Sequence, residues 1–582
     1  MLPRFLAAFF LLLGIPIFAA DTTQSLRDLL AAEWEYTMEQ SPTWASQLGD
    51  RRYNHRWPDV SASAQEKRAA HGREFLAQLA KINRAQLPAD EHVNYDLAKY
   101  ENELGLEEFN ARLWTLPVSQ RDGIQLLDDF ASGLRFDTVR DYEDWIARLR
   151  ALPVYLEQTA ALMRLGIAEK RTHAKIVMEG VPGQIAKQVV TKPEESGFYK
   201  PFLKFPAAIP EPDRVRLSAA AAEAIAKQVV PAYRAFAEFF KTEYLPACTD
   251  AVGAWQWPDG EKTYAFAARK FTTTMLTPRE IHEIGLREVE RIGQEMQRVM
   301  DQVKWKGTKL EFFAFLRSDP RFYCATPEEL LTTYRATAKR VDPALVRVFR
   351  TLPRAPYGVE PIPDAAAPHT TAAYYRPLAA DGSRAGTFFV NLYRPKMRPK
   401  YEMMALTLHE AVPGHHLQFA LAFEQSALPN FRRYGGEGAY TAYIEGWALY
   451  AESLGDELGL YDDPYAKFGQ LTYEIWRACR LVVDTGVHTM QWTRQQAIDY
   501  LLENSAKTEL DVENEIDRYI SWPGQALAYK IGELKIKELR ARAAQARGEK
   551  FDVKEFHDII LRSGPVPLEV LERNVNDWLA AK

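Results

Sequence analysis

From about residue 25 to residue 240, apolar positions recur close to the helical period, which predicts long amphipathic helices. The alanine-rich stretch 217–240 continues the pattern, and Pro231 within it predicts a break, because proline lacks the amide donor a helix interior needs. Two helix starts are explicit. Thr277-Pro278-Arg279-Glu280 and Thr326-Pro327-Glu328-Glu329 each place an N-cap threonine before proline at the first helical position and a capping-box glutamate two residues later. Prolines dominate residues 354–368. Residues 370–391 then carry the convincing strands, notably Thr387-Phe388-Phe389-Val390 after an Asp381-Gly382 turn. After Pro399 helices resume, with breaks at Gly435-Gly436, Asn504-Ser505, Trp522-Pro523-Gly524 and Gly564-Pro565. The pattern predicts a mainly α, large helical fold with a small β-sheet near residues 370–395.

The first residues depart from this picture. Arg4 precedes an uncharged apolar run over residues 5–20, and Asp21 opens polar sequence, which reads as a signal peptide over residues 1–20 cleaved near Ala19 or Ala20. The run is shorter than the roughly 20 residues a spanning helix needs, and Pro16 interrupts its end. No cysteine follows it, so lipid anchoring is not supported, and no later segment approaches a membrane span. The mature protein is expected to be soluble, and periplasmic or secreted. Residues 21–270 are expected to form an N-terminal helical region and residues 271–582 the region bearing the site, joined as one continuous globular unit.

Composition narrows the function. With 73 Lys+Arg against 78 Asp+Glu, the net charge of −5 excludes a basic nucleic-acid binder. Hydrophobic residues at 47% and charged residues at 26% suit a soluble globular protein. The three cysteines, Cys248, Cys324 and Cys479, form no CxxC pair and allow at most one disulfide.

The chemistry concentrates in His409-Glu410-Ala411-Val412-Pro413-Gly414-His415-His416, which holds three of the eleven histidines and a glutamate. A zinc-peptidase helix normally carries two histidines at i and i+4 with the glutamate after the first acting as general base. Here the i+4 position is Pro413, so the spacing is two residues too long. An unbroken helix brings neither His415 nor His416 to His409. Pro413 and the conformationally free Gly414 predict a kink or a two-residue bulge that returns His415 to the second ligand's place, with His416 the other candidate.

A third ligand must leave the fourth position open for water. In Tyr443-Ile444-Glu445-Gly446-Trp447-Ala448-Leu449-Tyr450-Ala451-Glu452, two acids share one face of an apolar helix, two turns apart. A carboxylate in such company is costly to bury unless it meets a cation, so Glu445 is the expected ligand. Glu452 is expected either to accept from the outer nitrogen of a ligating histidine or to lie on a solvated helix face. Two histidines and one carboxylate favour a single Zn2+ ion, although iron or manganese uses the same donors.

These strings, with Trp522-Pro523-Gly524-Gln525-Ala526-Leu527-Ala528-Tyr529-Lys530, resemble the bacterial family known as domain of unknown function 885 over nearly the whole mature chain. More remotely the chain resembles the helical oligopeptidase and carboxypeptidase branch of the glutamate-type (gluzincin-like) zinc peptidases. There a helix with a glutamate followed seven residues later by another acid supplies the third ligand, which matches Glu445 and Glu452. The resemblance implies a mostly helical, clefted metallopeptidase. It also implies an oxyanion donor downstream of the ligands: Tyr529, on the same side as Gln525, fits that role or is a core tyrosine. His488, in another family string, is either a contact to substrate or a structural histidine. Near the strands, an exposed edge around Phe388 to Asn391 offers pairing to an extended peptide, with Arg384 available for a carboxylate, while Arg384 and Asn391 equally fit as loop and strand-end residues.

The expectation is therefore an exported zinc-dependent hydrolase cleaving short peptides, with His409, His415 and Glu445 on the metal and Glu410 as base. The alternatives are a hydrolase of another ester or amide bond, or a non-catalytic helical binding protein with a structural metal.

Overall fold

The structure, a computed structural model, describes residues 17–364, 367, 371–435 and 438–581. The expected signal peptide lies almost wholly outside them, as does Gly436 of the Gly435-Gly436 break. The chain is mainly helical with one three-stranded sheet. Its helices include α1 (Ile17–Gln40), α2 (Val139–Ala168), α3 (Pro278–Gln302), α4 (Pro327–Val341), α5 (Lys400–Glu410), α6 (His415–Glu424), α7 (Thr441–Ser453), α8 (Pro464–Thr489), α9 (Glu509–Ser521) and α10 (Ala528–Arg547). The strands are β1 (Tyr357–Pro361), β2 (Ala373–Arg376) and β3 (Gly386–Val390). Among the described residues no helix is long and apolar enough to cross a membrane.

Local sequence explains most helix boundaries. At α3 the Thr277 hydroxyl accepts from the Glu280 amide at 3.3 Å, while the Glu280 carboxylate accepts from the Thr277 amide at 2.8 Å. At α4 Thr326 caps in the same way, but Glu329 reaches one residue further back, to the Ala325 amide at 2.7 Å. The break expected at Pro231 does not occur. A π turn over Ile225–Val229 runs directly into the helix Val230–Phe239, and the Val230 amide bonds the Ile225 carbonyl. The wider turn re-spaces the ladder where the proline withdraws its donor.

The sheet order is β1-β3-β2, with β1 parallel and β2 antiparallel to β3. β1 was not foreseen, because the surrounding prolines mask it; Pro361 is tolerated because β1 is an edge strand. Every residue of β3 is buried, so the expected exposed edge at Phe388 to Asn391 is overturned: β3 is the enclosed central strand, and its continuous apolar run is that of a strand covered on both faces. Phe388 and Val390 pack with Tyr334 of α4, Met403 and Leu406 of α5 and Tyr473 of α8.

Two larger cores hold the molecule together. One joins Trp145 and Leu149 of α2 and Tyr233 to Met296 of α3, Ile475 and Val483 of α8 and Ile516 of α9. The other joins Leu97 and Tyr264 to Leu408 of α5, Trp447 of α7, Leu481 of α8 and Ile531 of α10. Both cores take residues from either side of residue 270. Cys248, Cys324 and Cys479 are free and buried.

α7 crosses α10 backbone against backbone. A Cβ at Gly446 would lie 2.5 Å from the Gly532 Cα, and one at Gly532 would meet the Ala442 carbonyl oxygen at 1.8 Å. Helix propensity alone favours alanine over glycine by about 1 kcal/mol. The steric conflict is with main chain and has no flexible partner to yield, so we expect Gly446→Ala to destabilise by roughly 1–3 kcal/mol net. Chemical denaturation should show a lower midpoint for the variant; an unchanged or raised midpoint would contradict this packing.

Candidate metal centre

α5 ends at Glu410, immediately after the first histidine of the motif. Ala411 leaves helical geometry (φ −98°, ψ −115°), a turn through Gly414 follows, and α6 begins at His415. The expected kinked or bulged helix is thus a helix that stops and restarts. The Val412–Pro413 peptide is cis, and the Trp447 indole donates to the Pro413 carbonyl at 2.8 Å, tying the turn to α7. Gly414 folds so tightly under α5 that a Cβ there would lie 1.9 Å from the His409 carbonyl oxygen. This compact turn brings the His409 and His415 rings together, 4.9 Å between centroids and nearly perpendicular.

Glu445 completes the group. Its Oε2 lies 3.5 Å from His409 Nε2 and 3.4 Å from His415 Nε2, and the three donor atoms all fall within 4.8 Å of one another. Ligands about 2.0–2.1 Å from a tetrahedral zinc stand about 3.3–3.4 Å apart, which the two distances from Glu445 match. Glu445 Oε2 is buried and makes no hydrogen bond, as expected of an atom whose partner is a cation. Among the described residues this is the one group of three such donors close enough to share an ion.

A further carboxylate stands behind the histidine. Glu452, fully buried two turns along α7 from Glu445, accepts from His409 Nδ1 at 2.8 Å and faces Arg477 of α8 at 3.7 Å. This is the first of the two expected placements and fixes which His409 nitrogen points at Glu445. Burial disfavours the charged imidazole, but the neighbouring carboxylates of Glu445 and Glu452 override it and raise His409 to about 9. Burial likewise works against the Glu445 carboxylate, yet His409 and His415 hold it well below the usual range. The pocket favours positive charge, which a metal ion supplies in place of the proton.

These residues line a cavity of about 1270 Å³ that Glu410, Gln525 and Tyr529 also face. Burial pushes Glu410 above the ordinary carboxylate range. Gln525 lies in a short turn before α10 and Tyr529 in its first turn, and both accept hydrogen bonds from Arg518 of α9, at 3.2 Å for Tyr529. Four expected participants stand elsewhere. His416 is buried with Nε2 on the Ala355 carbonyl and Nδ1 on the Tyr375 hydroxyl, both at 2.9 Å. His488 accepts the Ala254 amide at 2.9 Å, donates to the Tyr519 carbonyl at 3.0 Å and stacks on Tyr264, and burial lowers it to about 4. It is a neutral structural histidine, not a catalytic one. Arg384 bonds the Gly133 and Pro377 carbonyls, and Asn391 bonds those of Ala367 and Thr371, so each ties loops together and neither faces the cavity. Sequence reasoning missed Arg477 and Arg480, although two arginines one turn apart in an apolar helix are a visible signal.

Residues 42–575 match the family described as bacterial protein of unknown function, DUF885. The chain belongs to the DUF885 family. A crystal structure of a "putative lipoprotein" from Colwellia psychrerythraea superposes with a TM-score of 0.89 at 32% identity, covering 96% of this chain and all of that one. A second, of a "putative lipoprotein of unknown function" from Shewanella oneidensis, has a TM-score of 0.69 at 16% identity over 94% of this chain and 99% of its own, and shares the fold. No curated protein matches the chain. The DUF885 match spans both the His409–His416 turn and the Glu445–Glu452 helix.

Removing the Glu452 carboxylate should weaken metal binding without removing a donor. We expect Glu452→Gln to lower zinc affinity about 10- to 100-fold and Glu445→Ala to lose stoichiometric zinc altogether. Competition with a chromogenic chelator and elemental analysis measure both, and unaltered affinity in Glu452→Gln would rule out its orienting role.

Proposed function

We propose that this DUF885 protein is an exported zinc-dependent hydrolase, and within that class a metallopeptidase acting on short peptides. The observation that carries the reading is two imidazole nitrogens and a carboxylate oxygen all within 4.8 Å of one another, with a glutamate beside the first histidine, on the wall of a large cavity. Three protein donors leave one tetrahedral position open, as catalytic zinc sites do and structural sites do not. His416 keeps both ring nitrogens on other partners, which disfavours the closed sphere of a structural metal.

His409, His415 and Glu445 would hold a zinc ion, which when bound would supply Lewis acidity for activating a water and a carbonyl. The chain's own residues do the rest. Glu452 keeps His409 in one tautomer and orientation. Glu410 accepts the proton of the attacking water and returns it to the leaving amine. Tyr529, its oxygen already accepting from Arg518, turns its own proton toward the developing oxyanion.

Two features favour a peptide over another amide or ester. The cavity exceeds the 300–1,000 Å³ typical of small-ligand pockets by a margin that suits several residues. β2, bonded to β3 on one side only, lines it through Ala373, Tyr374 and Tyr375, so a strand edge is available to an extended backbone. Export is supported by the apolar leader and by the lipoprotein description of the 32% identical Colwellia protein; this chain, whose first cysteine is Cys248, has no cysteine beside the leader for lipid attachment.

Glu410→Gln should retain zinc while losing about 10²- to 10⁴-fold in turnover. A peptide-library digest followed by mass spectrometry tests this, with chelated wild type as the second control. Full activity in the variant would reject Glu410 as the base, and no cleavage by zinc-loaded wild type would reject the peptidase reading.

A further inference from the structure

Among the described residues the cavity walls carry eight arginines and lysines against six aspartates and glutamates, and two of those six, Glu410 and Glu445, belong to the candidate metal centre. The surplus gathers around one carboxylate. Glu515 of α9 accepts from Arg480 Nη2 at 3.0 Å, from Arg518 Nη1 at 3.2 Å and from the Tyr519 hydroxyl at 2.8 Å, and Arg121 Nη1 stands 3.9 Å from its other oxygen. Burial works against the Glu515 carboxylate, but Arg518, Arg480 and Arg121 outweigh it and hold it at about 2. Three guanidiniums therefore share one negative charge. Two other wall acids are already paired elsewhere, Asp517 with Arg494 at 2.6 Å and Glu402 with Lys507 at 2.8 Å.

Donors are left over as well. Arg480 Nη1 is buried without a hydrogen-bond partner, and its guanidinium lies over the Trp476 and Tyr529 rings at 4.5 and 4.3 Å. The Arg121 guanidinium, on the more open side of the group, makes no hydrogen bond among the described residues. Uncompensated cations on a partly desolvated wall are costly unless an anion arrives, and planar guanidinium donors match a carboxylate best. Arg518 also bonds Gln525 and Tyr529, which couples this group to the wall where the reaction is placed.

We propose that Arg121, Arg480 and Arg518, arranged around Glu515, receive a carboxylate of the substrate. That carboxylate is either the C terminus of a short peptide, which would make the enzyme a carboxyl-end exopeptidase, or an acidic side chain. The proposal rests on the peptidase reading for the nature of the substrate, and the anion preference itself is measurable without turnover.

The test uses the zinc-loaded Glu410→Gln protein and calorimetric binding of three probes: N-acetyl-trialanine as free acid, the same peptide as amide, and the amide with glutamate at its centre. The free acid should bind roughly ten- to a hundredfold tighter than the plain amide, and adding Arg121→Gln or Arg518→Gln should remove most of that difference. Restored affinity in the glutamate-bearing amide alone would assign the carboxylate to a side chain. Arg121 lies on the open side, so its variant keeps the test valid if Arg518→Gln fails to fold. Equal binding of all three probes, or a preference that survives both variants, overturns the proposal. If wild type cleaves none of the peptides but the preference is present and lost in the variants, the receptor stands and the hydrolase reading falls.

Discussion

A fully buried carboxylate, Glu452, links three helices around the site. It is carried by α7, accepts from His409 at the end of α5 and faces Arg477 on α8. A charge taken that far from water is tolerated only when its partners are fixed. The same helix presents Glu445 two turns earlier, so orienting His409 and supplying the carboxylate donor are one structural act. Any slip of α7 along its axis would lose both at once.

What holds α7 in register is shape. Gly446 sits directly after Glu445 and lies on Gly532 of α10 with no room for a Cβ. Trp447, next in sequence, fills the second core and anchors the Ala411–Gly414 turn through its indole. The string Glu445-Gly446-Trp447 is therefore a donor, a contact and an anchor in sequence. Lys530, at the end of the Trp522–Lys530 string, has a comparable structural role. It is completely buried between Glu474 of α8, Glu288 of α3 and Glu533 of α10, pinning three helices through one ammonium group.

The cavity has two chemically distinct walls. One group of lining residues is the histidines and carboxylates of the candidate metal centre, and another is the arginines gathered around Glu515. A peptide bond flanked by a free carboxylate presents a polarisable carbonyl and a negative charge a few ångströms apart. Arg121 reaches this second wall from the N-terminal region, as do Gln120, Gln184 and Trp44. Both sequence halves build the cleft, which agrees with cores that cross residue 270.

Local patterns carried much of this into the sequence. Capped helix starts, the strand at Thr387–Val390, the His409-Glu410 pair and the two acids of α7 follow from spacing and from the cost of burying charge, which are properties of a few adjacent residues. Other features depend on what packs alongside. β1 was hidden because strand pairing can overrule proline-rich composition at a sheet edge, and Pro231 did not break its helix because a π turn absorbed it. His488, Arg384 and Asn391 looked chemically able, yet each bonds backbone groups away from the cavity. His415 rather than His416 meets His409 because the chain leaves the helix after Glu410, a geometry that the letters Pro-Gly permit without specifying. Short-range chemistry was thus written in the sequence, whereas the choice among equivalent side chains was made by tertiary contacts, since only these decide which buried polar atom already has a partner.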